Sequence, residues 1–240
     1  MKNIKHTLAI SLALAFTAPS IVQAEGFYGT AQLGASQQIS DSQAYGNNIA
    51  VDADFPAEFD AGNGTVGSIG VGYIINQQFR VEGRIAYRES SFDQQQFGTG
   101  AREGEEYILD GEIESFTYTI EAFYDFANNS PFTPYIKAGL GIADNSYSAK
   151  LGGAGVAAFD PFDGTADGFY DAYADDDSTE FSWNLGFGVN YQITENAGIY
   201  AEYQYTSLGD VMTGQDSFTD GFMINDLATN ELSIGVRINF

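Results

Sequence analysis

Apolar and polar residues alternate with a period of two in eight segments of the chain. In the clearest of them, 79–88, Phe79, Val81, Ile85 and Tyr87 alternate with mostly charged residues. Such alternation is typical of a β-strand with two unlike faces. Most of the segments have about the 9–11 residues that a tilted strand needs to cross a bilayer. The predicted strands are 26–36, 65–75, 79–88, 114–126, 134–143, 181–193, 197–206 and 230–240.

The predicted connections alternate between long and short. They cover 37–64, 76–78, 89–113, 127–133, 144–180, 194–196 and 207–229. Membrane β-barrels of the outer-membrane type have an even number of strands, short periplasmic turns and long outer loops. The order of the connections, which begins with a long one, matches that topology. The sequence therefore predicts an all-β, eight-stranded antiparallel up-and-down barrel without helices after the N-terminal segment.

The alternation leaves open which face points outward. A soluble lipocalin-like barrel, apolar inside, has the same period. Glycines on the polar face favour the inverted, transmembrane arrangement, because small residues relieve crowding inside a narrow barrel. Aromatic residues near the ends of the apolar faces, such as Phe27, Tyr87 and Phe240, suit two interfacial girdles. The glycines are Gly34, Gly70, Gly72, Gly139, Gly141, Gly186, Gly188 and Gly235.

Charged residues of both signs occupy the polar strand faces in equal numbers. Inside a closed barrel they must pair, because burying an unpaired charge costs several kcal/mol. We expect an interior charge network, with partners that depend on strand register. Its candidates are Arg80, Glu82, Arg84, Arg88, Glu121, Asp125, Lys137, Glu202, Glu231 and Arg237. Arg102 and Lys150 fall in predicted loops and are expected to contribute little.

The first 24 residues have the features of a secretory signal peptide. Lys2 and Lys5 precede a short apolar run, and Val22-Gln23-Ala24 supplies a small residue at the expected cleavage point. The run is too short for a transmembrane helix. We expect a signal peptide at 1–24 and one barrel domain at 25–240.

Composition restricts the chemistry of the mature chain. Removing residues 1–24 takes Lys2 and Lys5 from the 9 basic residues and leaves 7 against 33 acidic ones, a formal charge of −26. The single histidine, His6, is also removed, and the chain has no cysteine. Hydrolase schemes that need a histidine base are excluded, and nucleic acid would be repelled. We expect no enzyme activity and no cofactor.

The C-terminal segment 231–240 is the last predicted strand and ends on an aromatic residue. Ser233, Gly235, Ile238 and Phe240 follow a polar-x-Gly-x-x-apolar-x-aromatic pattern. This resembles the signal by which the outer-membrane barrel-assembly machinery recognises its substrates. With the eight strands and alternating connections, the chain resembles the small OmpA/OmpX-type outer-membrane β-barrel family, as a barrel only, without a periplasmic peptidoglycan-binding domain.

The resemblance implies a location in the outer membrane and contact with its lipid and lipopolysaccharide. Family members include adhesins, host-interaction proteins and proteins that stabilise the envelope. We therefore expect a structural or surface-interaction role through acidic outer loops, with an unidentified extracellular ligand. The alternatives are a small-solute pore or carrier, a soluble ligand-binding barrel, and a membrane enzyme that acts on lipids. Eight strands enclose little more than their own side chains, which disfavours a channel.

The longest predicted loop, 144–180, is rich in aspartate. Oxygen-rich clusters of this kind bind Ca²⁺ or Mg²⁺, but the spacing does not match an EF-hand. We expect a solvated acidic loop with at most weak divalent-cation binding and no specific metal site. The carboxylates are Asp160, Asp163, Asp167, Asp171, Asp175, Asp176 and Asp177.

Overall fold

The eight predicted strands are present, and most of them are longer than predicted. The computed structural model describes residues 26–45, 58–155, 169–215 and 221–240. The strands are β1 Phe27–Gln38, β2 Asp41–Tyr45, β3 Glu58–Asp60, β4 Asn63–Ile74, β5 Phe79–Phe97, β6 Glu106–Asp125, β7 Phe132–Gly152, β8 Phe169–Gln192, β9 Ala197–Met212 and β10 Gly221–Asn239.

A single 3₁₀ turn, Gly100–Arg102, is the only helical element in the described ranges. No helix in that part of the chain has the length and apolar character to cross a membrane.

Eight of the strands form a closed antiparallel ring. The neighbours run β1-β4-β5-β6-β7-β8-β9-β10, and β1 pairs with β10 from Tyr28↔Asn239 to Gln38↔Thr229. This closure leaves no free edge in the ring. The remaining strands, β2 and β3, form a hairpin that is added to the far end of β10 through Gly221↔Tyr45. The predicted eight-stranded barrel is confirmed.

The wall of the ring is apolar on its outer face. Leu33, Ile120 and Ile234 expose 70%, 75% and 70% of their surface, whereas the neighbouring inward positions are buried. Contiguous exposure of large apolar side chains is unfavourable in water but is required of a closed barrel in hydrocarbon. Aromatic pairs line one rim, with ring centroids 4.9 Å apart for Phe27 and Tyr73. The soluble, lipocalin-like alternative is therefore wrong.

The polarity of the two faces reverses along the longer strands. In β6, Ile120 points outward and Glu121 inward, but further along Glu112 points outward and Ile113 is buried. The period of two continues without interruption through the reversal. The reversal lies just beyond the aromatic pair Tyr87–Phe116, whose centroids are 4.7 Å apart. The boundary between hydrocarbon and water is expected at this point. On one side of it the apolar residues point outward to lipid, and on the other side they point inward, away from water.

Beyond that boundary the strands form a structure that we call the head. It comprises the described residues 41–45, 58–61, 89–114, 143–155, 169–180, 208–215 and 221–228. Here the ring opens into two sheets, β5-β6-β7-β8 and β9-β10-β2-β3. The β8–β9 ladder begins only at Trp183↔Ser207, and no ladder between described residues joins β3 to β5.

The two sheets of the head enclose an apolar core. Tyr173 of β8 packs against Phe222 of β10 at 5.4 Å between ring centroids, and Phe59 of β3 packs against Phe222 at 6.1 Å. The hydroxyls of Ser42 and Tyr147 are 2.6 Å apart across the same core. The buried members are Phe59, Ala61, Phe92, Tyr107, Leu109, Ile113, Ala143, Tyr147, Ala149, Leu151, Tyr173, Leu208, Val211, Phe222, Ile224 and Leu227.

The head corrects the predicted loop bounds. Large parts of 37–64, 89–113, 144–180 and 207–229 are strands rather than loops. Lys150 belongs to β7, and Arg102 is buried in the 3₁₀ turn, where it donates to the Tyr107 hydroxyl at 3.0 Å. These segments are rich in acidic, serine and glycine residues, and their apolar residues occupy the inward positions instead of the outward ones. For both reasons the sequence does not predict these strands.

Candidate functional site

Arg84 is at the centre of the charged cluster in the barrel interior. Its guanidinium lies 2.8 Å from Glu82, 3.1 Å from Glu121 and 3.7 Å from Glu202. The four residues come from β5, β6 and β9, and all are buried. Even-numbered positions of β5 point inward, so Glu82 and Arg84 reach the same enclosed space. This arrangement gives each charge a partner where water cannot supply one.

Lys137 of β7 completes this part of the cluster. Its ammonium lies 3.1 Å from Glu121 and 2.7 Å from Glu202. Neutral donors add to it, since Asn184 donates to Glu121 at 3.1 Å and the Tyr135 hydroxyl donates to Glu202 at 2.8 Å. Each of the two carboxylates therefore forms ion pairs with both cations and accepts a hydrogen bond from a neutral side chain.

Two further pairs extend the cluster along the barrel axis. Towards the rim where β1 begins and β10 ends, Arg80 pairs with Asp125 at 3.0 Å, and its guanidinium lies 3.6 Å from the centroid of the Phe123 ring. Towards the head, Arg88 pairs with Glu231 at 2.6 Å and also donates to Thr117 at 2.8 Å.

The structure brings together nine of the ten predicted interior charges as ion pairs. The tenth, Arg237, forms no ion pair with any described carboxylate, contrary to expectation. Its guanidinium lies 5.8 Å from the centroid of the Tyr28 ring. Arg237 is near the end of β10, where it is only partly buried, so surrounding water reduces its need for a partner.

Sequence reasoning missed the aromatic and amide residues of the interior. Tyr28 accepts a hydrogen bond from Arg80 at 3.1 Å, and Tyr200 donates to Gln32 at 3.0 Å. Phe123 stacks against Arg80, as described above. Their positions in the sequence could have identified them as interior residues, because each lies on the polar face of a strand with alternating residues.

The interior is filled. Between the charges the structure leaves a cavity of about 10 Å³, lined by residues that include Arg80, Arg84, Asn190 and Arg237. A cavity of that size holds about one water molecule. Above the charges lies the apolar core of the head. Charged, aromatic and apolar side chains therefore occupy the barrel interior along its described length.

The outer face of the head is acidic. Glu89 pairs with Glu114 across the β5–β6 ladder, and Asp93 pairs with Asp110. Partial burial, together with Glu114, Glu89, Asp175 and Asp110, raises the pKa of Glu112. Like charges on directly paired positions repel. This surface is consequently suited to attract cations or a cationic partner.

The predicted divalent-cation residues are only partly described. Asp160, Asp163 and Asp167 lie outside the described residues. Asp171, Asp175, Asp176 and Asp177 belong to β8 and not to a loop. Within the described chain, no group of three or more acidic side chains has the geometry to hold a metal ion.

The C-terminal pattern lies on β10 and on Phe240, the residue that follows it, at the rim where β1 begins. The Phe240 amide donates to the carbonyl of Phe27 at 3.0 Å, and its side chain is exposed. Ser233 faces Gly34 across the β1–β10 ladder. A side chain at Gly235 would collide with the Tyr200 ring. Glycine in the pattern thus has a packing role in addition to its predicted role in assembly.

A family model described as "Outer membrane protein beta-barrel domain" matches residues 8–240. The chain belongs to this family. It is 26% identical over 263 residues to outer membrane protein PagN of Salmonella typhimurium, and the match covers 100% of both chains. The protein is an outer-membrane β-barrel of Gram-negative type, which confirms the predicted localisation and family resemblance.

A solved structure shows the same fold. The outer membrane protein OprG from Pseudomonas aeruginosa superposes with a TM-score of 0.51 at 15% identity, over 90% of this chain and 97% of OprG. Neisserial surface protein A superposes with a TM-score of 0.49 at 22% identity, over 90% of this chain and 97% of the other.

Proposed function

We propose that the protein is a non-enzymatic surface-interaction protein whose working part is the acidic head. The observation that carries this proposal is the filled interior. Ion pairs occupy the membrane-embedded part and an apolar core occupies the head, which leaves the outer surface as the region available to a partner. A rigid barrel holds this surface beyond the membrane, and rigid scaffolds commonly present binding groups in this way.

The chemistry of the surface favours a cationic partner. Exposed carboxylates Glu89, Glu112 and Glu114 lie together on the β5–β6 part of the head, directly above the aromatic rim. The raised pKa of Glu112 reflects burial and the repulsion of its acidic neighbours. A bound cationic group would relieve that repulsion. Each exposed ion pair between a carboxylate of the head and a cationic group of the partner would contribute about 0.2–1 kcal/mol to binding, and added salt would weaken it.

The test is adhesion of cells that express the protein to surfaces coated with a cationic polypeptide. The variant E89Q/E112Q/E114Q removes three carboxylates and leaves the strands intact. We expect its adhesion to fall by roughly three- to tenfold at low salt, and parental adhesion to fall as salt rises. A matched control is E195Q in the short turn at the opposite rim, which should adhere as the parent does.

A second variant tests the connection 153–168. Replacing it with an Asn-Gly turn shortens the connection between β7 and β8, of which only 153–155 lie among the described residues, and leaves the residues of the head core unchanged. We expect adhesion to fall further if this segment also contacts the partner. Parental adhesion in both E89Q/E112Q/E114Q and the variant with the shortened connection would overturn a function in the head. Steady ion conductance of the purified protein in planar bilayers would instead favour the pore alternative.

A further inference from the structure

The outer wall of the barrel contains a groove of about 570 Å³. Its floor is formed by Ala122 of β6 and Ala138 of β7, which face each other across the ladder and point outward. Elsewhere in the described wall, a small outward residue faces bulky ones. Gly83, for example, lies between Val71 and Ile120. The groove exists because two alanines are neighbours here.

Large side chains form the sides of the groove. Tyr124, Ile136, Phe187 and Tyr203 occupy one row across β6, β7, β8 and β9. The ring centroids of Phe187 and Tyr203 are 5.3 Å apart, and the two rings are tilted by 37°. The side chains in this row stand above the alanine floor, so the groove is concave and predominantly apolar.

One end of the groove reaches the periplasmic rim. The rings of Phe79 and Tyr124 are 5.2 Å apart in an edge-on contact at this end. The Gln78 amide donates to the Tyr124 hydroxyl at 3.4 Å. Polar groups therefore lie where the apolar groove meets the membrane surface, which is the arrangement of a lipid with its chain in the bilayer and its headgroup at the interface.

The groove is continuous with the apolar wall that contacts lipid, so its surroundings are acyl chains and not water. A groove left empty in hydrocarbon would forfeit van der Waals contacts on both sides. A linear, flexible acyl chain fits a concave channel between neighbouring strands. A second protein copy would instead need a complementary ridge and about 1,200–2,000 Å² of total contact.

We propose that this groove is a binding site for one phospholipid of the periplasmic leaflet. Its acyl chain lies over Ala122 and Ala138, between Tyr124 and Tyr203. Its headgroup lies at the Gln78–Tyr124 end of the groove. The site is separate from the head and does not depend on the function proposed for it.

The first test is native mass spectrometry of the barrel released from mild detergent. Wild-type protein should retain one phospholipid per chain. The variant A122L/A138L fills the floor and should reduce the retained fraction by about tenfold, a change that corresponds to the loss of contact with a few methylene groups. A matched control is A201L on β9, an outward position between Val189 and Ile234, which should retain lipid as the parent does.

A second measurement uses wild-type protein only and is independent of how the variants fold. The barrel is reconstituted with a phospholipid that carries a photoreactive group on its acyl chain, and the labelled residues are mapped. Labelling concentrated at Ala122, Ala138 and Tyr203 supports the site. Uniform labelling around the wall, equal lipid retention in A122L/A138L and wild type, or a dimer that A122L/A138L abolishes would each overturn it.

Discussion

At the scale of single residues, the interior of the barrel shows how buried charge is tolerated. Lys137 lies within hydrogen-bonding distance of Glu121 and Glu202, and Arg84 contacts both carboxylates from the other side. Removal of one partner from such a cluster leaves an uncompensated charge, which costs more than the pair itself contributes. Each member therefore depends on the others.

Replacement of Lys137 by methionine tests this dependence. The change keeps the length of the side chain but removes the charge between Glu121 and Glu202. We expect the free energy of unfolding to fall by about 3–5 kcal/mol. The measurement is urea unfolding in lipid vesicles, followed by the fluorescence of Trp183, the one tryptophan in the chain.

Lys150 supplies the control on the same strand. It is exposed in the head, beside the ring of Phe169. K150M should change the unfolding free energy by less than about 1 kcal/mol. Equal effects of K137M and K150M would contradict an enclosed charge network.

Glycines at inward positions leave space for the large side chains of the barrel interior. A methyl group at Gly72 would collide with the Tyr28 ring, and one at Gly141 with the backbone carbonyl of Tyr118. At outward Gly83 the nearest atom is 4.0 Å away. The inner glycines are thus a consequence of fitting aromatic and charged side chains into a narrow barrel.

At the scale of elements, each long strand runs from the hydrocarbon of the membrane into water. β6 keeps one set of alternate positions inward along its whole length, and the polarity of both sets reverses at the outer rim. Below the rim the surroundings are hydrocarbon, so apolar residues point outward. Above it the surroundings are water, so apolar residues point inward and pack between the two sheets of the head.

Truncation of Leu109 to alanine tests whether the head has a true core. The Leu109 side chain is fully buried among the apolar residues of the head. We expect L109A to destabilise the head by about 2–5 kcal/mol. Its cleavage by protease added to intact cells should therefore increase, because the head opens more often.

The matched control is L140A, at an outward position of β7 that faces lipid. Lipid can fill the space left there, so protease sensitivity of the head should stay at the parental level. Parental sensitivity in L109A as well would mean that the head does not depend on its core.

At the scale of the whole molecule, the chain begins and ends its barrel at the same rim. β1 and β10 close the ring, and the Phe240 amide makes the last backbone bond, to Phe27. The exposed aromatic side chain at the terminus contributes little to the packing of the interior. Its position is consistent with the predicted role as an assembly signal, which is a separate property from stability.

Deletion of Phe240 separates these two properties. Purified protein that lacks Phe240 should refold in detergent with a loss of about 1 kcal/mol, because one hydrogen bond is removed. In cells, insertion into the outer membrane should be strongly impaired. Folded barrel in membrane fractions is measured by the mobility difference between unheated and boiled samples. Normal insertion in cells would contradict a signal at this residue.

The sequence by itself determined the number of membrane strands, the closed antiparallel ring and the sets of residues that share a face. The period of two fixes which side chains share a face, as it does for Arg84 and Glu82 or for Ile136 and Ala138. The order of long and short connections fixes that β1 begins and β10 ends at the rim of the short connections. These features follow from local spacing, so a single sequence is sufficient to read them.

Tertiary structure alone decided the pairing of the charges, the extent of the head and the groove on the wall. Arg88 and Glu231 meet only when β5 and β10, distant in sequence, enclose the same interior, and Ala122 lies beside Ala138 only in the register that β6 and β7 adopt. The sequence predicts a loop at residues 106–113, which are part of β6, because their apolar side chains point to a core that exists only when the second sheet is in place. Alternation shows that two faces differ, whereas the surroundings of each face decide which one is buried.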